Sequence, residues 1–181
     1  MNVGLLHPGA MGAVLAGQAK ATVLWASGDR SAATSERATA HGLVDTGSVS
    51  DLVAASDMLI SVCPPHAAWD VAEEVHRLGF EGLYVDANAV APATVRRIAT
   101  LFDRFVDGGI VGPPPAEPGV TRLYLAGSDA AAVAALWNGS NVDARTLDGV
   151  VGTASALKAA YAGWTKGSAA LLLAVRAYAE A

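Results

Sequence analysis

The sequence predicts an α/β fold, a doubly wound and mostly parallel sheet followed by one long C-terminal helix, and three observations carry that prediction. Short apolar runs of strand length alternate with stretches of helical composition from Asn2 to Leu147. The first of these runs ends in a glycine-containing turn, His7-Pro8-Gly9-Ala10-Met11-Gly12. Residues Thr153 to Ala181 contain no proline and read as a single helix, softened only at Gly163 and Gly167.

Val3, Leu5 and Leu6 form the kind of apolar run that a fully buried parallel strand shows, and an Ala/Leu/Val stretch of helical character follows the turn. A helix that starts directly after a buried strand aims its free N–H groups and the positive end of its dipole at whatever lies over the turn. A pyrophosphate suits both. Gly9 lets the backbone approach the phosphates, and Gly12 lets the helix pack on the strand. The first glycine of the G-x-G-x-x-G fingerprint is replaced by His7, and similar turns occur in α/β units that bind nothing. The turn therefore needs support from the rest of the chain.

Ala21 to Trp25 is a second strand, Ser31 to Ala40 a helix, and Gly42-Leu43-Val44 a weak third strand. Ser50 to Ala55 is a short helix with Ser48 or Ser50 as its N-cap. Asp57 to Cys63 is the clearest buried strand, and Pro64-Pro65 ends it and opens a helix running to about Leu78. Leu83 to Asp86 is the next strand, with Pro92 in the first turn of a helix ending near Phe102. Phe105 to Asp107 and Ile110-Val111 read as two strand pieces around Gly108-Gly109. The loop from Pro113 to Pro118 holds four of the eight prolines and is rigid and surface-like. Arg122 to Ala126, a helix from Ser128 to Trp137, and Val142 to Leu147 complete the sheet. Such spacing implies parallel strands joined by right-handed crossovers, the Rossmann-type arrangement. Residues 1–150 form the expected dinucleotide-binding domain, and 151–181 the helix that leads out of it.

With 181 residues, 52% hydrophobic and 16% charged, the chain can bury one good α/β core and is too small for two full domains. A net charge of −5 and the lack of a basic stripe exclude a nucleic-acid partner. The single cysteine, Cys63, excludes an internal disulfide and fits a reducing, cytoplasmic location. The N-terminus has no basic n-region, and the most apolar segment, Ser168 to Val175, is closed off by Lys166 and Arg176. A soluble protein is expected, with no membrane partner. In the long helix, Ala160, Tyr161, Trp164, Leu171, Leu172, Leu173, Val175 and Tyr178 surround the axis instead of forming one stripe. Its far side needs a cover, either a second copy of the chain or a helical domain.

Ligands of open α/β sheets bind beyond the carboxyl ends of the strands. At the end of the second strand, a carboxylate usually marks NAD, whereas Ser27, Arg30 and Ser31 offer hydroxyl and guanidinium donors suited to the 2′-phosphate of NADP. Asp29 keeps NAD possible. Lys158 lies one turn into the long helix, in the apolar frame Ala154 to Tyr161. It is either a snorkelling surface residue or a partly desolvated amine able to act as a general acid. Tyr161, three positions on, shares its face and is a second candidate donor. The four histidines show no metal-ligand spacing, so no metal is expected.

In its order of motifs the chain resembles the β-hydroxyacid dehydrogenase superfamily, the 6-phosphogluconate dehydrogenase-like NAD(P)-binding oxidoreductases, over its whole length. The family's GLGxMG turn corresponds to His7 to Gly12, with Gly9, Met11 and Gly12 matching. The strand-end motif beside the nicotinamide ribose corresponds to Ser61-Val62-Cys63-Pro64-Pro65, and D-x-S-T-x-x-P to Asp86 to Pro92 with Asn88 in the place of serine. The catalytic lysine of GxGxxxK corresponds to Lys158, with Gly152 retained. The substrate motif D-A-P-V-S-G-G reads Asp107-Gly108-Gly109-Ile110-Val111-Gly112-Pro113, so Val111 replaces the substrate serine, and Ala162 stands where the family has asparagine. The Asp107 to Pro114 stretch is also similar to that of imine reductases.

The resemblance implies an NADP-preferring oxidoreductase acting on a small hydroxyacid or carbonyl substrate. Lys158 and Asn88 are its expected catalytic residues. His7 to Gly12, Ser27, Arg30, Ser31, Cys63, Pro64, Pro65 and Asn88 are expected at the cofactor, and Gly109, Val111, Gly112 and Tyr161 at the substrate. It also implies a following all-helical domain and a homodimer through the C-terminal helix. Imine reduction, a dinucleotide-binding module without catalysis, and a helix-mediated assembly protein are the competing expectations.

Overall fold

The structure is a computed structural model and describes residues 1–180. The first half of the chain comprises β1 (Asn2–Leu6), α1 (Ala10–Ala16), β2 (Thr22–Trp25), α2 (Ala32–Ala40), β3 (Val44–Asp45), α3 (Val49–Ala55) and β4 (Met58–Ser61). A single 3-10 turn over Pro65–Ala67 leads into α4 (Ala68–Arg77), followed by β5 (Leu83–Asp86) and α5 (Pro92–Ala99). The remainder is β6 (Phe105–Val111), β7 (Thr121–Ala126), α6 (Ala130–Ala134), β8 (Val142–Thr146) and α7 (Thr153–Ala179). Ala181, the last residue of the expected helical segment, lies outside the described residues.

The strands form one sheet in the order β3-β2-β1-β4-β5-β6-β7-β8. β1 pairs in parallel with both β2 and β4, so the chain winds outward through β2 and β3 and then crosses back to the other side of β1. The order reverses at β1 and β4, and the crevice above their carboxyl ends is where open α/β sheets bind ligands. Apolar side chains of both sheet faces are buried, Leu59, Tyr84 and Ile98 in one layer and Val3, Val106, Leu123 and Trp137 in another. The near-continuous apolar runs of the strands reflect that two-sided burial.

Local chemistry sets the helix starts. Ser31 caps α2 and Ser48 caps α3 through bonds from the N–H groups of Thr34 and Asp51, which settles the choice between Ser48 and Ser50. The helix expected directly after Pro64-Pro65 begins as the 3-10 turn and becomes α-helical only at Ala68.

The sheet is mostly parallel, as expected: β7 runs antiparallel to β6, and β8 follows β7 in parallel. The proline-rich loop between β6 and β7 turns the chain back on itself. One expectation is corrected. The two strand pieces around Gly108-Gly109 are one strand, β6, buried along its whole length. Its glycines are places of close approach. A Cβ on Gly108 would lie 3.0 Å from the Asp86 carbonyl oxygen, and one on Gly109 would lie 2.8 Å from that of Ala154 in α7.

Asp107 explains how α7 is attached. Its carboxylate, fully buried in the middle of β6, accepts hydrogen bonds from the backbone N–H of Gly152 at 2.9 Å and of Ser155 at 3.1 Å. The Ser155 hydroxyl donates to the second oxygen at 2.6 Å. A carboxylate from a distant strand thus caps a helix whose own N-cap, Gly152, has no side chain, and it meets the positive end of the helix dipole. Beyond its second turn α7 leaves the sheet, and Trp164, Leu171, Leu172, Leu173, Val175 and Tyr178 are all more than half exposed. No helix among the described residues is long and apolar enough to cross a membrane.

Candidate functional site

The turn after β1 opens a cleft of about 400 Å³, walled by residues His7 to Gly12, by Arg30 and Thr34 from the β2–α2 connection, and by Val62, Cys63 and Pro64 after β4. His7 has φ 69°, the left-handed region that glycine enters freely. The residue that departs from the glycine fingerprint thus keeps the glycine's backbone conformation. A Cβ on Gly12 would lie 3.0 Å from the His7 carbonyl oxygen and 3.3 Å from Cβ of Val62, so α1 can sit this close to the sheet only with glycine there. Gly9 is different. No atom lies within 4 Å of a Cβ built on it, and the backbone there faces open space that a ligand can enter. Arg37 of α2 donates from Nη1 to the Pro8 carbonyl at 3.1 Å and ties the turn to the neighbouring helix.

Among the described residues, Arg30 is the one charged side chain in the lining of this cleft. Arg30 Nε and His7 Nδ1 are both buried without a hydrogen-bond partner. Burial, with the Arg30 charge adding to it and a Leu6 carbonyl opposing, pulls the His7 imidazole down to about 4. Ser27, Ser31 and Pro65 do not line the cleft. The Ser31 hydroxyl is occupied in capping α2, and the Ser27 N–H donates to the Asp45 carboxylate at 3.0 Å. Hydrogen bonding, first from the Gly47 N–H, holds that carboxyl below its usual value against a small burial penalty.

A second hollow of about 170 Å³ shares Met11, Val62 and Cys63 with the first, and is completed by Ala87 to Ala89, Ile110, Gly112 and Lys158. Lys158 stands in the second turn of α7, and its Nζ donates to the Ile110 carbonyl. The amine is partly buried, and burial first, then the charge of Lys166, lowers its pKa from the ordinary lysine value.

Asn88 also borders this hollow, but its amide is engaged within the protein. Oδ1 accepts from the Cys63 N–H at 2.6 Å, and Nδ2 donates to the Ser61 hydroxyl at 2.9 Å. Asn88 therefore clamps the end of β4 to the end of β5. Its backbone N–H donates to Asp86 Oδ1 at 2.9 Å. Asp86 is fully buried with Oδ2 unpartnered, and burial, aided by the Asp107 charge and opposed by the Asn88 hydrogen bonds, pushes its carboxyl up to about 6. Burial also raises the Cys63 thiol, which leaves it neutral and unsuited to nucleophilic work.

Of the expected substrate residues, Gly112 lines the second hollow, while Gly109 and Val111 do not. Gly109 lies beneath α7, and Val111 is buried in β6. Tyr161 is 45% exposed and also outside the hollow, because α7 has begun to leave the sheet at that turn. Thr34 and Arg37 belong to the arrangement and were not singled out from the sequence, whereas Val62 and Asp107 were named there as members of motifs without a role of their own. Thr34 was legible as the residue one helical turn after Arg30, and Asp107 as a carboxylate set in an otherwise apolar strand.

No family model matches the chain. An uncharacterized 28.5 kDa protein of Methanothermus fervidus is 35% identical over 127 residues, which is 69% of this chain and 49% of that protein, so the chain spans about half the length of its curated relative. A solved structure of a conserved protein of unknown function, described as structurally similar to 3-hydroxyacid dehydrogenases, is 31% identical with a TM-score of 0.80. It is matched over 95% of this chain and 67% of its own. A reductive aminase of Aspergillus terreus, solved with NADPH and ethyl levulinate, shares the fold at 23% identity and a TM-score of 0.76, over 99% of this chain and 66% of that one. On this sequence and structural similarity, the chain belongs to the 3-hydroxyacid dehydrogenase-like family and has the fold of that family's NAD(P)-binding N-terminal domain.

Proposed function

We propose that this chain binds a nicotinamide dinucleotide along the two joined hollows, NADP in preference to NAD, and serves an oxidoreductase acting on a small carbonyl, hydroxyacid or imine substrate. The observation that carries this is that two clefts, one over the open backbone at Gly9 and one lined by Lys158, share the wall of Met11, Val62 and Cys63 at the point where the strand order reverses. The residues fit such a ligand. Gly9 leaves room for a diphosphate, Arg30 and Thr34 stand where a 2′-phosphate would extend, and Cys63 and Pro64 border the passage to the second hollow. The cofactor, when bound, supplies or takes up hydride. Asn88 holds the Cys63 end of the passage in place, and Ile110 holds the Lys158 amine at the edge of the hollow. Lys158 gives a proton to the substrate oxygen or nitrogen as hydride reaches the adjoining carbon, and takes it back in the reverse direction.

Titration with NADPH and with NADH, followed by energy transfer from the tryptophans, tests the cofactor preference. NADPH is expected to bind about tenfold more tightly, a difference of ~1.4 kcal/mol and ordinary for one charge-assisted contact. Arg30→Ala should abolish that preference while leaving NADH affinity within about twofold. Equal affinity of the native chain for both nucleotides would defeat the NADP assignment.

The division into a cofactor domain over 1–150 and a helix beyond it also belongs to this proposal, with a homodimer formed along the apolar exposed length of α7. Sedimentation velocity should show a dimer that Leu172→Lys converts to monomer. A monomeric native chain at tens of micromolar would rule the contact out.

A further inference from the structure

Among the described non-glycine residues only His7 and Asp29 have left-handed backbones. Such a conformation costs an L-residue about 1–2 kcal/mol, which glycine at the same place would not incur. An unfavourable residue kept at the mouth of a cleft points to a role for its side chain. The His7 imidazole lines the larger cleft, with Nδ1 buried and unpartnered, and Arg30 lines the same cleft with Nε in the same condition. No aspartate or glutamate lines it. The His7 and Arg30 side chains thus line one cavity whose wall, among the described residues, has no carboxylate.

We propose that His7 is a proton-accepting ligand for the anionic diphosphate oxygens, so that a dinucleotide settling in this cleft brings a proton onto the imidazole. The proposal deepens the dinucleotide reading of this cleft and rests on it for the identity of the ligand. The charged and titratable groups facing His7 are few. Arg30 repels a proton on the ring, and Arg37, bound to the Pro8 carbonyl, adds positive charge from α2. Cys63 lines the opposite wall, with its thiol held neutral by burial. In the free protein burial and the Arg30 charge outweigh the Leu6 carbonyl, which favours the proton, and hold the imidazole pKa at about 4. An entering anion reverses the local field and favours the protonated ring.

The sign of the pH dependence follows. A proton taken up on binding makes affinity rise as pH falls. If the anion restores the ordinary histidine value of about 6.5, affinity at pH 6 exceeds that at pH 8 by about fourfold, with roughly three-quarters of a proton taken up per ligand at pH 6. NAD⁺ is the suitable probe, because its diphosphate carries no titrating proton in this range, unlike the 2′-phosphate of NADP.

Calorimetric titration of NAD⁺ at pH 6 and pH 8, in two buffers of different ionisation enthalpy, measures both quantities. The native chain should show the fourfold gain and the proton uptake. His7→Gly, which relaxes the backbone and should fold at least as well, should show neither. Nucleotide binding without pH dependence, or proton uptake that persists in His7→Gly, overturns the proposal and leaves the dinucleotide reading standing. Titration of the His7 imidazole by NMR with and without sulfate separates the remaining case. If no nucleotide binds but sulfate raises the His7 pKa, the anion site stands and the dinucleotide reading falls. If neither ligand acts, both fall.

Discussion

Asp107→Ala is expected to lower the unfolding free energy by about 3 kcal/mol, the largest loss of any single polar replacement in the chain. The carboxylate accepts three hydrogen bonds, from the Gly152 and Ser155 N–H groups and the Ser155 hydroxyl, in a fully buried place. Removing it leaves those donors without a partner at the start of a 27-residue helix. Each buried unsatisfied donor costs about 1–3 kcal/mol, and relief of the buried charge offsets part of the sum. Asp107→Asn keeps one acceptor oxygen and should lose about half as much.

Asp86 supplies an internal check on this prediction. Its folded pKa, about 6, lies above the unfolded value near 3.9, so the stability it contributes is complete below about pH 4 and is lost as pH rises through 6. Part of that loss is repulsion from Asp107. Removing Asp107 should therefore hurt more at pH 5.5, where Asp86 is largely protonated, than at pH 7.5, where the repulsion is relieved. Urea unfolding at the two values measures it. A loss below about 1 kcal/mol at both would mean that Asp107 does not hold α7 to the sheet.

The second large effect is catalytic. Lys158→Ala should reduce turnover of the best substrate in a panel of small carbonyls, hydroxyacids and imines by about 10²–10⁴-fold, the usual worth of a positioned proton donor. NADPH affinity should stay within about twofold, because Lys158 lines the second hollow and not the cleft at the His7 turn. The pH profile gives the finer readout. Burial and the Lys166 charge both lower the Lys158 pKa, so the basic limb for reduction should fall below the range of a free lysine. Lys166→Gln removes one of the two causes from an exposed position and should move that limb upward without abolishing turnover. Unchanged turnover in Lys158→Ala would take the lysine out of the mechanism.

How much of this was legible in the sequence varied with the range of the interaction. The strands from Asp57 and from Leu83 were plain, because strands buried on both faces are apolar at nearly every position. The start of α7 after Gly152 was plain because its local signals agree with the fold. The reversed direction of β7 was not, since strand direction depends on pairing partners and not on composition. Nor was the unity of β6, whose paired glycines read as a break until the carbonyls of Asp86 and Ala154 were seen to lie against them.

At the site, the turn from His7 to Gly12, Arg30 and Lys158 could be named from residue type and place in the motif order. Their electrostatic state could not. A histidine is held neutral only when burial and a guanidinium from another element meet around it. Asn88 shows the same division, with its position readable beside the strand end and its engagement with Cys63 and Ser61 set by atoms 25 and 27 residues away. By itself the sequence determined which segments become strands and helices and which turn opens at the switch point, since those follow from local periodicity and backbone preference. Only the tertiary structure decided strand direction, the capping of α7 by Asp107 and the charge states over the clefts, because each depends on groups far apart in the chain brought together where water is excluded.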